Sequence, residues 1–268
     1  MMKFAIITSK QDPAGRNIKA ELSKLGIKTF EIEEDIVYPE HIDKKEKLKD
    51  ADFLIFASWH KSEQYRKTLS VHPVGNWHQA DFGGKPETIN KSNAFFLKFI
   101  FQTLNEIAEK EKTDYEVTME VTHHGPELSV PCCFIEIGST EKEWQDKKPA
   151  EIIAETIKQA TENYDKEKGK LARNWQSCIA IGGKHYAPNF NKIQLNSKYA
   201  ISHIIPEYSL PLTEEMLNQA ISKTIPKPRL AILDWKAIGK SQERQEIISL
   251  LNKHELGIVR TSQIKKES

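Results

Sequence analysis

The segment from Thr118 to Glu127 contains two adjacent histidines with a carboxylate on either side, in the order Thr-Met-Glu-Val-Thr-His-His-Gly-Pro-Glu. Imidazole and carboxylate groups bind metal ions and transfer protons near neutral pH. Apolar and polar residues alternate before the histidines, which predicts a strand with Glu120 and His124 on one face and His123 on the other. We expect Gly125-Pro126 to end this strand.

Histidines also follow other apolar segments of the chain. His60, His185 and His203 each lie within four residues after a short segment that is predicted to be a strand. Ligands of open α/β sheets bind at the carboxyl ends of strands, so these endings predict one shared site, although a single histidine is more often a packed or surface residue. The predicted metal ligands are His60, His72, His123, His124, Glu120, His185 and His203, and the predicted catalytic residues are His72, Glu120, His124 and His185.

A second dense stretch of polar residues extends from Leu69 to Lys85. A long loop with this much chemistry is usually functional, and the alternative is a surface turn with a stacked Trp77. Gly182-Gly183 is too short for a phosphate-binding loop, but it lets the backbone come close to a ligand. The predicted substrate-binding residues are Asn76, Trp77, Asp81, Gly83, Gly84, Lys85, Gly182, Gly183, Tyr186, Lys61 and Arg66.

Glu136 interrupts an otherwise apolar segment, Cys133 to Ile137. It is either the solvent-facing residue of a half-exposed strand, which is our default interpretation, or a buried carboxylate that needs a cation. The chain has no His-Glu-x-x-His motif and no Cys-x-x-Cys pair, so local spacing gives weak support for a metal. A zinc site assembled from separate strands stays open.

Alternating strand and helix patterns predict how these residues are positioned. Strand, helix and strand follow one another in residues 1–60 and again after residue 228, which predicts a small Rossmann-like βαβ domain built from both termini, 1–60 and 228–268. The middle of the chain, residues 61–227, mixes helices and strands and is predicted to be the main α/β domain, a mixed-sheet sandwich that carries most of the site.

The composition excludes several classes of protein. The chain has 268 residues and a formal charge of +1, which excludes a uniformly basic nucleic-acid binder but allows local basic patches. It has no apolar segment long enough to span a bilayer, so we expect a cytoplasmic protein. Three cysteines cannot build a disulfide scaffold, and we expect reduced, structural thiols.

Several longer motifs resemble those of the D-aminoacyl-tRNA deacylase family of archaea and plants. They are Leu-Ser-Val-His-Pro-Val-Gly-Asn-Trp from Leu69, Ala-Asp-Phe-Gly-Gly-Lys-Pro from Ala80, the His123-His124 segment, Phe-Ile-Glu-Ile-Gly-Ser-Thr from Phe134, Gly-Gly-Lys-His-Tyr-Ala-Pro from Gly182 and His-Ile-Ile-Pro from His203. The resemblance implies hydrolysis of the ester between a D-amino acid and the 3′-terminal adenosine of tRNA. It also implies two zinc ions per subunit and a fold similar to that of phosphorylases and peptidyl-tRNA hydrolase. Lys184 and Ser202 depart from the family's glycines, so we assign them no role.

Our hypothesis for the site places His124, His72 and Glu120 around one zinc ion and its water. His185 and His60 would bind a second ion or transfer the proton. For tRNA we expect a basic patch at Lys61, Arg66 and Lys67, or a second patch at 166–173 that is as easily a solvated helix face. We expect a monomer with no obligate protein partner. The alternatives are a metal-dependent peptidase, a nucleoside-cleaving enzyme, or a tRNA-binding module without catalysis.

Overall fold

The computed structural model describes residues 1–63 and 65–265, and it places fourteen strands and seven α-helices in this part of the chain. In chain order the strands are β1 (Phe4–Ser9), β2 (Phe30–Ile32), β3 (Phe53–Lys61), β4 (Thr68–His72), β5 (Gly75–Asn76), β6 (Thr88–Ile89), β7 (Ser92–Asn93), β8 (Glu116–Met119), β9 (Cys132–Ser139), β10 (Gln176–Ile181), β11 (Tyr199–Ile205), β12 (Thr224–Ile225), β13 (Leu230–Leu233) and β14 (Gly257–Arg260). The helices are α1 (Pro13–Lys24), α2 (Ala94–Lys110), α3 (Glu141–Trp144), α4 (Lys147–Asn174), α5 (Pro188–Asn196), α6 (Glu214–Ser222) and α7 (Ser241–Lys253). None of these helices is both long and apolar enough to cross a membrane.

The larger sheet has six strands in the order β2-β1-β3-β9-β4-β8. Its pairs are parallel except for β4 with β9, which is antiparallel, so the predicted mixed sheet is confirmed. β3 and β9 are central and consist largely of apolar residues, as expected for strands that are covered on both faces.

The smaller sheet has four parallel strands in the order β11-β10-β13-β14. α2 packs between the two sheets, in contact with β4 and with β11. It begins at Asn93, whose side-chain oxygen accepts a hydrogen bond from the backbone N–H of Phe96 at 3.0 Å. Its buried Lys98 donates hydrogen bonds to three backbone carbonyls at and just beyond the end of α5, at 2.5, 2.7 and 3.1 Å. These contacts tie both sheets to one helix.

Both terminal βαβ units form as predicted, but they do not share a sheet. β1 and β2 extend the larger sheet, whereas β13 and β14 extend the smaller one. Each terminal unit instead joins a long apolar strand from the middle of the chain, β9 through β3 in one case and β10 in the other. The predicted domain boundaries near residues 60 and 228 remain a prediction.

Candidate active site

The ends of strands from both sheets meet at one place. His60 and His72 lie at the ends of β3 and β4, and Glu120 follows β8. Glu136 lies within β9, and His185 follows β10 of the smaller sheet. Contacts among these five side chains define a cluster that also contains the two adjacent histidines of the sequence motif.

Glu120 is the centre of one half of the cluster. Its Oε2 lies 3.0 Å from Nε2 of His185, 3.3 Å from Nδ1 of His60 and 3.6 Å from Nε2 of His123. The residue is completely buried. A buried carboxylate needs compensating positive charge or a metal, and here three imidazoles surround it.

Glu136 is the centre of the other half. Its Oε2 lies 3.5 Å from both Nδ1 of His60 and Nε2 of His72. Only 2% of the residue is exposed, so our default interpretation of a solvent-facing glutamate is wrong. The reason is that β9 is a central strand, paired with β3 on one side and with β4 on the other and covered on both faces.

Three histidines are held so that one ring nitrogen faces the cluster. The Nδ1–H groups of His72, His123 and His124 each donate to a backbone carbonyl within two residues, at 3.0, 2.8 and 2.7 Å. This leaves Nε2 of each ring as the donor atom for a ligand. A backbone bond to one nitrogen that orients the other is the usual arrangement of histidines that bind metals.

The backbone after β8 does not continue as a strand. β8 ends at Met119, and the N–H groups of Glu120 and Val121 donate to the carbonyls of Val71 in β4 and of His185 in the turn after β10. His124 has a φ of 45°, in the left-handed region. Strand alternation therefore fails here.

The change in backbone direction decides which of the two adjacent histidines lies near Glu120. In the described part of the chain it is Nε2 of His123 that lies within 4 Å of Glu120, and the predicted pairing of His124 with Glu120 is wrong. His124 instead packs edge-to-face against His72, with ring centroids 4.8 Å apart.

The charges in the cluster follow from burial and neighbours. Burial lowers the pKa of His60, but Glu120 and Glu136 outweigh it and raise the pKa to about 9. Burial raises the pKa of Glu120, and His60 and His185 outweigh it and lower the pKa well below the ordinary value. Burial and the adjacent His72 lower the pKa of His124 to about 4, and burial likewise lowers that of His123. The carboxylates are thus ionised, and His123 and His124 are neutral near pH 7.

The cluster has the donor atoms that zinc requires. Three groups of side chains have donor atoms within 4.8 Å of one another. The first group is His72, His123 and His124, and the second is His60, Glu120 and His185. The third group is His72, Glu120 and Glu136. Within residues 1–63 and 65–265, both carboxylate oxygens of Glu120, Oε2 of Glu136 and Nε2 of His72 are buried without a hydrogen bond. Buried donors of this kind, nitrogen and oxygen in sets of three, fit a zinc ion with an open position.

Tyr186 and Arg66, two of the predicted substrate-binding residues, lie beside the cluster. The Tyr186 hydroxyl is 3.2 Å from Nε2 of His60, and the Arg66 guanidinium lies over the Tyr186 ring, 4.9 Å from its centroid. Arg66 also forms an ion pair with Glu116, which offsets its charge. Lys61 is exposed at the end of β3, next to His60.

The loop from Asn76 to Lys85 packs against the turn that carries His124. Asn76 donates to the carbonyls of Gly83 at 2.9 Å and Lys85 at 3.3 Å, and so holds the loop closed. Gly84 lies against Gly125, where an added Cβ would be 3.2 Å from the Gly125 Cα. Asn76 is thus a structural residue of the loop, whose glycines allow a close backbone approach.

Other predicted substrate-binding residues of this loop differ in exposure. Trp77 is 4% exposed and belongs to the core, so neither a surface stacking role nor a surface turn describes it. Lys85 is exposed and forms an ion pair with Glu127 at 2.6 Å. Asp81 is exposed.

His203 and the glycine pair lie apart from the donor groups. Nδ1 of His203 is 3.2 Å from Oγ1 of Thr122, and its ring faces Trp77. Among the described residues no donor group includes His203, which is contrary to its prediction as a metal ligand. Gly182 and Gly183 have φ values of 98° and 89° and form the turn that leads from β10 to His185.

Glu136 is the site residue that the sequence prediction left out. A lone carboxylate within an apolar strand was the available signal, but exposure on a half-covered sheet explains such a residue equally well. A mixed α/β fold that brings five histidines and two buried glutamates together defines a site of the kind found in enzymes, with groups that could hold a metal ion.

Comparisons with known proteins give the family. A family model described as D-aminoacyl-tRNA deacylase matches residues 47–259. The D-aminoacyl-tRNA deacylase of Pyrococcus abyssi is 35% identical, with 94% of this chain and 97% of that protein covered, and that of Methanococcus maripaludis is 35% identical, with 92% and 95% covered. A crystal structure described as a conserved protein of unknown function superposes with a TM-score of 0.88 at 31% identity, covering 98% of this chain and 97% of the other. This chain belongs to the D-aminoacyl-tRNA deacylase family.

Proposed function

We propose that this protein hydrolyses the ester that joins a D-amino acid to the 3′-terminal adenosine of tRNA and releases the free D-amino acid and tRNA. The observation that carries the proposal is the convergence of five histidines and two buried glutamates in a chain of this family. Such a reaction serves translation quality control, in the cytoplasm where aminoacyl-tRNA is used.

Two zinc ions are part of the proposal. His72, His123 and His124 would hold one ion, and His60, Glu120 and His185 the other, with Glu136 between them. Bound zinc supplies a Lewis acid that polarises the ester carbonyl and lowers the pKa of water towards 7. This division differs from our sequence hypothesis, which grouped Glu120 with His72 and His124.

The chain's own groups position the second ion and the substrate. His185 has a side chain that is 31% exposed, more than the other histidines in contact with Glu120, so of these three it lies nearest to the solvent from which the ester enters. Its Nε2 faces Glu120 and is the atom that would bind the second ion, so His185 would hold that ion beside the ester. The Tyr186 hydroxyl, 3.2 Å from His60, would hold the ring of His60 in place against Glu120.

Substrate would bind along the rim of the cluster. Tyr186, Arg66 and Lys61 lie on one side, and the loop with Asp81, Gly83, Gly84 and Lys85 lies on the other, beside the His124 turn. Gly182 and Gly183 would let the backbone approach the ligand. The finer fold assignment, a sandwich like that of phosphorylases and peptidyl-tRNA hydrolase, and a monomeric state without obligate partners also belong to this proposal.

The test is deacylation of D-Tyr-tRNA and L-Tyr-tRNA by the zinc-loaded protein. We expect fast release of D-tyrosine, little release of L-tyrosine, and a loss of at least about 100-fold in His185→Ala, as for removal of a ligand of a catalytic metal ion. A dipeptide and a nucleoside test the alternative peptidase and nucleoside-cleaving functions. Tight tRNA binding with an unaltered ester lifetime would favour the binding module and overturn the proposal.

A further inference from the structure

A cavity of about 530 Å³ lies at the carboxyl ends of β13 and β14, apart from the histidine cluster. Asp234 and Trp235 follow β13, Thr261 follows β14, and Asn189 and Lys192 come from α5. In the strand order β11-β10-β13-β14, the chain goes outwards from β10 to β11 in one direction and from β13 to β14 in the opposite direction. The cavity therefore lies at a topological switch point, the place where open parallel sheets bind ligands, and its volume is that of a ligand pocket.

Positive charge predominates around this cavity. Lys192, Lys236 and Lys265 line it and are exposed, and none has an ion-pair partner among residues 1–63 and 65–265. Asp234 is the acidic residue of the lining, and it accepts a hydrogen bond from the side chain of Asn189 at 2.8 Å. Uncompensated lysines beside a polar cavity attract an anionic ligand.

Three cations of the basic patches that the sequence predicted are paired with carboxylates of the same chain. Arg66 and Lys67 form ion pairs with Glu116 and Asp114, and Lys168 forms one with Asp165. A lysine paired with a carboxylate of its own chain has less net attraction for phosphate. Lys192, Lys236 and Lys265 have no such pairing among the described residues, and they also adjoin a cavity that can hold a nucleotide.

Trp235 lines the cavity, and its ring is stacked with two guanidinium groups that lie beside the cavity. The Arg260 guanidinium lies 3.6 Å from the centroid of the Trp235 ring, and that of Arg244 lies 5.0 Å away. Arg260 is exposed, and Trp235 is half-buried. Planar guanidinium and indole groups are surfaces on which nucleic-acid bases stack, which lysines alone do not provide.

The cavity is close to the cluster along the chain. Asn189 at its edge is four residues from His185, so their Cα atoms are at most ~14 Å apart. Asn191, on the same helix, donates to the carbonyl of Tyr186 at 2.9 Å. The first turn of α5 therefore separates the cavity from the cluster, a distance that a short single strand of RNA covers.

We propose that this cavity binds a nucleotide of the single-stranded acceptor end of tRNA, with its base on the Arg260 and Trp235 stack and its phosphates at Lys192 and Lys236. The proposal rests on the proposed function, because it takes the terminal adenosine to lie at the histidine cluster. In this proposal, residues at the strand ends of the smaller sheet bind the RNA.

The experiment uses the double variant Lys192→Ala/Lys236→Ala in the full, zinc-loaded chain. KM for D-Tyr-tRNA is expected to rise at least about 10-fold with kcat unchanged, and the slope of log affinity against log salt to fall by about two. Hydrolysis of D-tyrosyl-adenosine, which lacks the preceding nucleotides, is expected to be unchanged. Arg260→Ala should likewise raise KM for D-Tyr-tRNA and leave hydrolysis of D-tyrosyl-adenosine unchanged.

The matched control is Lys147→Ala/Lys253→Ala, which removes the same charge from two exposed lysines that are paired with Glu151 and Glu214. Equal KM values and salt slopes in the two double variants would overturn the proposal. The affinity of each variant for uncharged tRNA, measured by fluorescence anisotropy, tests the cavity separately from catalysis. If no protein deacylates but the cavity variants bind tRNA more weakly than the control, the proposed function alone fails. Tight AMP binding that the cavity variants lose, with unaltered tRNA affinity, would assign the cavity to a free nucleotide instead.

Discussion

Nε2 of His185 lies 3.0 Å from Oε2 of Glu120, and this contact joins the two sheets at the site. Glu120 follows β8 of the larger sheet, and His185 follows β10 of the smaller one. The adjacent backbone makes the same connection, because the N–H of Val121 donates to the His185 carbonyl at 3.0 Å. The geometry of the cluster therefore depends on how the two sheets pack on each other.

Zinc content should fall in steps when the two donor groups are altered separately. We expect two zinc ions per chain in the unaltered protein and about one in His72→Ala or in His185→Ala, because these residues belong to different groups. His78→Ala is the control, since His78 lies outside the donor groups and contacts the carbonyl of Ser209. Elemental analysis by mass spectrometry gives the ratio, and two ions in every variant would refute the assignment.

The convergence of His60, His72, Glu120 and His185 could be predicted from the sequence. The prediction assumed that parallel strands end at one edge of a sheet, where polar residues that follow them meet. The structure reaches the same convergence differently, because β4 runs antiparallel to β9 and Glu136, in the middle of β9, lies between His60 and His72. The family resemblance added the substrate, which spacing does not contain.

The roles of Glu136, His123, Trp77 and His203 could not be predicted in the same way. The burial of Glu136 depends on β4 and β3 pairing on either side of β9, which the residues of β9 do not encode. The choice of His123 over His124 follows from a backbone that leaves the strand after Met119. Trp77 and His203 pack against each other from distant parts of the chain, so no local pattern shows their burial.

Glu136→Gln should lower activity while the fold is retained. The amide keeps the shape of the side chain but neither offsets positive charge on His60 and His72 nor donates a carboxylate to zinc. We expect kcat to fall by about 10- to 100-fold, as for groups that orient metal ligands. Glu214→Gln, an exposed carboxylate paired with Lys253, is the control. Circular dichroism should match in both variants, and an unaltered kcat in Glu136→Gln would contradict the role.

Gly83→Ala should destabilise the protein more than Gly26→Ala. Both glycines have positive φ, 68° and 76°, so alanine is strained by about 1–2 kcal/mol at either position. An added Cβ at Gly26 meets no atom within 4 Å, whereas at Gly83 it would overlap the carbonyl oxygen of Val37. We expect about 2–4 kcal/mol of lost stability in Gly83→Ala from urea unfolding. Equal losses in the two variants would show that the loop moves freely to make room.

His203 should make the folded protein less stable in acid. Burial is the main cause that lowers its pKa to about 3, from an ordinary value of about 6.5. Between these values the unfolded chain binds a proton at this residue and the folded chain does not, so the free energy of unfolding falls as the pH is lowered from about 6.5 towards 3. His203→Leu removes the titrating group, and the fall in stability between pH 6 and pH 4 should shrink by about 2 kcal/mol. The comparison is made on the metal-free protein by urea unfolding at each pH, so that the other buried histidines titrate equally in both chains. Parallel stability curves for the two proteins would show that His203 is protonated in the folded state.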